Sequence, residues 1–337
     1  MDAGIPWFRL TFTSFALAYL LALGCSSPVQ RGAELNFSGQ YPIRATVTVG
    51  MVADLVRQIG GDQVQVTQLL GSGIDPHLYK PTRDDIQAIL AADVVFYNGL
   101  MLEGKMAETL QRFGKTKPTC AVAELVGLPA IPSSGEPAPQ DLQHADPHVW
   151  MDVSLWSEAA QAVNAYLSRY DPQHAEAYAS RTAQLRQQLA ELHGYGQRLM
   201  SSIPRERRVL ITSHDAFRYF GHAYGLEVQA IQGISTESEA GLQRINQLVD
   251  LLVDRQVAAV FVESSVPQES ITALLEGAQS RGQQVRIGGE LYSDAMGLAG
   301  TYTGTYIGMM DHNLTTIARA LGAKDVPTEG FRPPVSN

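Results

Sequence analysis

Short β-branched runs alternate along this chain with stretches of helical periodicity, and that alternation leaves few architectures open. Arg44–Val49, Val64–Leu70, Val94–Asn98 and Pro118–Val122 read as strands, with Ala53–Ile59, Asp84–Ala91 and Gly104–Phe113 as helices between them. A strand–helix rhythm of this kind builds a parallel sheet, because each crossover helix returns the chain to the same end of the sheet. A Pro/Ser/Gly-rich loop at Pro129–Pro139 follows, then a helical pattern over Leu155–Tyr170. A second set has strands at Val209–Thr212, Leu226–Ile231, Ala258–Glu263 and Gln284–Ile287, and helices at Glu239–Arg255, Ser270–Arg281 and Tyr306–Leu321. Thr236 stands three residues before Glu239, the spacing of a capping box, and marks a helix start there. At 337 residues the chain exceeds one ordinary core, so two α/β lobes are expected, at 41–171 and 204–325, with a tail at 326–337.

The segment between the lobes, 172–203, reads as a single linking helix. From residue 173 to 201 there is no proline, and Tyr178, Leu185, Leu189, Leu192 and Leu199 form one apolar stripe. At about 1.5 Å per residue this stretch makes a rod of ~43 Å, long enough to run the length of a two-lobed protein. Gly194 and Gly196 are expected to weaken its last turns.

Residues 1–25 stand apart. After Arg9 comes the uncharged apolar run Leu10–Leu23, followed by Gly24, Cys25, Ser26 and Ser27. The run is shorter than the roughly 20 residues a membrane-spanning helix needs, and a small residue before cysteine resembles a lipoprotein cleavage site. Cys25 is therefore the expected lipid-bearing residue, with 26–40 as a flexible tether. The only other cysteine is Cys120, so no disulfide and no thiolate-rich metal site is expected. A formal charge of −9 argues against nucleic acid as a partner.

Two histidines share one tripeptide, Asp75-Pro76-His77 and Asp146-Pro147-His148. Proline fixes its own φ and biases the preceding residue to extended backbone, so each tripeptide presents an imidazole from a stiff loop. Asp75 and Asp146 are placed to brace those turns or to bond the imidazoles. Taken singly, each is more often an ordinary loop histidine than a metal ligand. His214 lies just past the strand Val209–Thr212, where open α/β sheets bind ligands, and Asp294 lies just past another strand beside Gly288, Gly289 and Gly297. Read alone, Asp294 is a helix cap or a turn residue. The four are far apart in sequence, so only the tertiary fold can gather them, two from each lobe.

The segments Gly73–Tyr79, Asn98–Leu100, Asp146–Asp152, Ser213–Phe217, Phe261–Ser265 and Gly288–Asp294, in that order, resemble the TroA-like solute-binding proteins over the whole mature chain. The resemblance implies two Rossmann-like lobes joined by one long helix, with one metal ion held between them for a membrane permease of an ABC importer. It implies His77 and His148 as ligands from the first lobe and His214 and Asp294 from the second. An extracytoplasmic, lipid-anchored monomer is expected. Manganese- or iron-type members often carry Glu where this chain has His214. Dedicated zinc members often carry a histidine-rich loop, whereas Ile131–Ala145 holds only His144. Imidazole suits zinc and carboxylate admits manganese, so Zn2+ and Mn2+ both stand. The rival readings are a zinc-dependent hydrolase, with Glu263 as its base, and a surface adhesin. His174, His193, His222 and His312 fall in helical patterns and are read as packing or solvated residues.

Overall fold

A computed structural model describes residues 1–2, 37, 39–129, 131 and 145–331. Residues 3–25 of the leader, with Cys25, most of the 26–40 tether, and His144 lie outside the described residues. The first half holds β1 (Ile43–Val47), β2 (Val64–Gln68), β3 (Val94–Tyr97) and β4 (Thr119–Ala121). They form one parallel sheet in the order β2-β1-β3-β4. Helices α1 (Gly50–Gly60), α2 (Arg83–Ala91) and α3 (Ala107–Phe113) connect its strands. Strands β1 and β3 sit in the middle and are almost wholly buried, and β3 accordingly reads as a continuous apolar run while β1 exposes only Arg44. The helix expected from Gly104 begins as a 3-10 turn over Gly104–Met106 before α3.

Helix α4 (Val153–Tyr170) starts on Asp152, whose side chain accepts a hydrogen bond from the Ser154 N–H. After a 3-10 turn at Pro172–His174, α5 (Ala175–Ser201) runs 27 residues without interruption. Its predicted stripe is correct: Tyr178, Leu185, Leu189, Leu192 and Leu199 are all buried, against α4, α1 and α9 (Tyr306–Leu321). Gly196 lies within the unbroken helix. A Cβ there would stand 2.8 Å from Tyr224 and 3.0 Å from Leu314, so glycine allows neighbouring side chains to close on the helix.

The second half holds β5 (Val209–Thr212), α6 (Arg218–Tyr224), β6 (Glu227–Ala230), α7 (Leu242–Asp254), β7 (Ala259–Glu263), α8 (Glu269–Ser280) and β8 (Arg286–Leu291). Its strands form two parallel ladders, β5-β6 and β7-β8, with β5 alongside β7. The capping box expected at Thr236 and Glu239 is absent. Helix α7 begins later, after Gly241, which has no side chain to cap it, and the Thr236 hydroxyl is bonded to Asp75 instead. A capping box does form at α2, between Thr82 and Asp85.

From Phe37 on, the described residues form one compact unit. A single apolar core runs from β1 and α1 through α4 and α5 to α9, and a smaller one lies around β5, β7, α7 and α8. Bonds between the halves reinforce the larger core. Tyr306 donates its hydroxyl to the Trp150 carbonyl at 2.6 Å, and Trp150 donates its indole N–H to the Ser293 carbonyl at 2.9 Å.

Candidate metal centre

The four residues singled out in the sequence meet at one point. One donor atom from each of His77, His148, His214 and Asp294 lies within 4.8 Å of the others, and all four side chains are buried. The Nε2 atoms of His77 and His214 each lie 3.4 Å from Nε2 of His148. Asp294 places Oδ1 3.2 Å from His148 Nε2, and Oδ2 3.2 Å from His214 Nε2 and 3.8 Å from His77 Nε2. Both carboxylate oxygens of Asp294 are fully enclosed, and the polar atoms they face are the imidazole nitrogens of the three histidines. A buried carboxylate in such a place is costly unless protonated rings or a cation meet it.

The elements explain how these atoms converge. His214 follows β5 and Asp294 follows β8, both at the carboxyl ends of parallel strands. Glu263 ends β7, the strand beside β5, and so faces His214 across the point where the strand order reverses. It accepts the His214 backbone N–H at 2.9 Å and its Nδ1–H at 2.5 Å. His148 is held in the same manner: Asp146 accepts its backbone N–H at 3.0 Å and its Nδ1–H at 2.7 Å. With Nδ1–H committed to a carboxylate, Nε2 of each ring is the atom turned inward. Asn98, just past β3, donates to the Pro147 carbonyl at 3.1 Å and so steadies the His148 loop.

His77 is set differently. Asp75 accepts its backbone N–H at 2.8 Å, repeating the turn seen at Asp146, but the other Asp75 oxygen accepts the Thr236 hydroxyl at 2.6 Å and no bond to the His77 ring is formed. The His77 carbonyl rests on Gly104, where a Cβ would stand 2.3 Å from the oxygen.

Charge follows this wiring. Burial disfavours protonation of His148, yet Asp146 and Asp294 outweigh it and raise its pKa to about 9. For His214 burial is likewise outweighed, by Glu263 and Asp294, and its pKa lies well above the ordinary value. Burial would raise Asp294, but His214 and His148 hold it well below the usual carboxylate range. His77 has no carboxylate bonded to its ring, so burial dominates and lowers it to about 4.

The family described as zinc-uptake complex component A, periplasmic, matches residues 46–320. The chain belongs to this family. It is similar to the manganese-binding lipoprotein MntA of Bacillus subtilis, with 45% identity over 310 residues, 92% of this chain and 96% of that protein. It is similar to the zinc-binding protein TroA of Treponema pallidum, with 44% identity over 274 residues, 81% of this chain and 87% of that protein. The solved structure of the periplasmic zinc binding protein TroA from Treponema pallidum superposes with a TM-score of 0.77 at 42% identity, covering 82% of this chain and 98% of that one. The two-lobed α/β architecture with one long helix is that of the family.

Sequence reasoning about this family member did not give Glu263 its partner, nor Thr236 its own. Both needed the distance between remote segments. The four other described histidines stay out of the cluster: His174 bonds Asp171, His193 contacts Gln197, His312 meets the Glu290 carbonyl, and His222 is on α6.

Proposed function

We infer that this protein captures one divalent transition-metal ion, Zn2+ or Mn2+, as the cargo of an ABC importer. His77, His148, His214 and Asp294 are its ligands, and the membrane permease is its recipient. One observation carries the reading: three inward Nε2 atoms and an enclosed carboxylate lie within 4.8 Å of one another, five of the six pairs at 3.2–3.8 Å. Four donors about 2.0–2.2 Å from one tetrahedral ion are spaced by ~3.4 Å. The protein acts from outside the cytoplasm as a monomer, held by a lipid on Cys25, with lobes 41–171 and 204–325 joined through 172–203. The relatives named for manganese and for zinc fit a donor set that mixes imidazole with carboxylate.

A hydrolase needs a free base near an open metal position, and Glu263 is engaged twice by His214, which disfavours that reading. The test is ion binding by the mature protein. One equivalent of zinc or manganese is expected, with stabilisation of ~4 kcal/mol when free ion exceeds the dissociation constant 1,000-fold. His77→Ala should lose most of that shift and His174→Ala none of it. A melting curve indifferent to both ions would remove the assignment.

A further inference from the structure

The two Asp-Pro-His tripeptides make the same turn and then use their carboxylates differently. Asp146 turns its second bond to the ring of its own histidine, whereas Asp75 turns its second bond outward to Thr236. Thr236 belongs to the connection between β6 and α7 and is itself buried, so the Asp75–Thr236 bond joins a ligand loop of the first half to a loop of the second. Of the four ligand segments, the one around His77 lies nearest the surface. Gly71, Ser72, Gly73 and Ile74 before it and Leu78 after it are exposed, while the neighbours of His148 and the residues just before His214 and Asp294 are buried.

His77 is thus the ligand with an exposed loop on both sides and no carboxylate bonded to its ring. Among the described residues, the side-chain hydrogen bond that ties that loop to the opposite half is the charge-assisted one from Thr236 to Asp75 at 2.6 Å. Breaking it frees the His77 turn while leaving Asp146–His148 and Glu263–His214 in place. We propose that Thr236 is a positioning residue for ion retention: through Asp75 it latches the 71–78 loop across the two halves, and His77 is the ligand that leaves first when the ion is released. This rests on the ligand set inferred above.

The experiment is release of bound zinc into excess chelator, followed by stopped flow, for wild type, Thr236→Val and Thr236→Ser. Thr236→Val removes the hydroxyl at nearly constant volume and should speed release about tenfold, whereas Thr236→Ser keeps the donor and should restore the wild-type rate. With Co2+ in the site, the visible spectrum of Thr236→Val should match wild type, because the ligands are unchanged. Asp75→Asn should also release faster with an unaltered spectrum, and Asp146→Asn should alter the spectrum; these variants keep the test intact if Thr236→Val fails to fold. If wild type binds the ion and both Thr236→Val and Asp75→Asn release it at the wild-type rate, the latch is wrong and the ligand set stands. If wild type binds no ion, the ligand set falls and the latch with it.

Discussion

At the scale of single residues, the centre is a balance between burial and carboxylates. His148, raised to about 9, and His214, shifted in the same direction by Glu263 and Asp294, favour bound protons in the ion-free protein. An incoming ion must displace them, so binding near pH 7 is expected to release protons and affinity to climb with pH. Calorimetric titration in two buffers of different ionisation heat reads this directly, and zero proton release would contradict the charge assignment. The stability of the ion-free fold should move the opposite way. A histidine raised above its unfolded value of about 6.5 stabilises fully below that pH and loses its contribution as pH rises through the folded value, about 9 for His148. The ion-free protein should therefore melt lower near pH 10 than near pH 7. The four candidate residues were legible in the sequence one by one, because Asp-Pro-His recurs and because His214 and Asp294 each follow a strand, and the family resemblance grouped them. The carboxylate behind His214 was not, since Glu263 lies 49 residues away and reaches it only through the adjacency of β5 and β7.

Among the elements, α5 is the one that packs against helices of both halves. At 27 residues and about 1.5 Å per residue it spans ~40 Å. Its two glycines, read in the sequence as one weakness, have opposite roles. Gly194 has only the flexible Arg198 guanidinium nearby, 3.4 Å from a built Cβ, so Gly194→Ala should stabilise by about 0.5–1 kcal/mol through helix propensity. Gly196 has Tyr224 and Leu314 pressed against it, so Gly196→Ala should destabilise by about 1–3 kcal/mol despite the same propensity gain. Thermal or urea unfolding of the two variants side by side checks the sign of each. The helix boundary at Thr236 shows the same limit of local reading: its hydroxyl had a capping spacing, but the half-buried Asp75 carboxylate from the other half accepts it instead.

For the whole molecule, the distribution of apolar contacts matters more than the lobe boundaries. The larger core is shared by α1, α4, α5 and α9, and Tyr306 of α9 bonds both Asp54 on α1 and the Trp150 carbonyl. Unfolding either half would expose the stripe of α5 that the other half uses. Scanning calorimetry of the ion-free protein is therefore expected to give one cooperative transition, and two resolved peaks would show that the lobes unfold independently.

The sequence alone determined the order of strands and helices and the apolar stripe of α5, which depend on local periodicity, while turn chemistry and strand ends offered His77, His148, His214 and Asp294 only as separate candidates that the resemblance to the TroA-like family joined into one set. Only the tertiary structure decided what stands behind each imidazole. Asp75 and Asp146 occupy identical tripeptides and make the same backbone turn, yet one bonds Thr236 and the other its own histidine ring. That choice is set by which distant segment packs against the loop, and no local pattern encodes it.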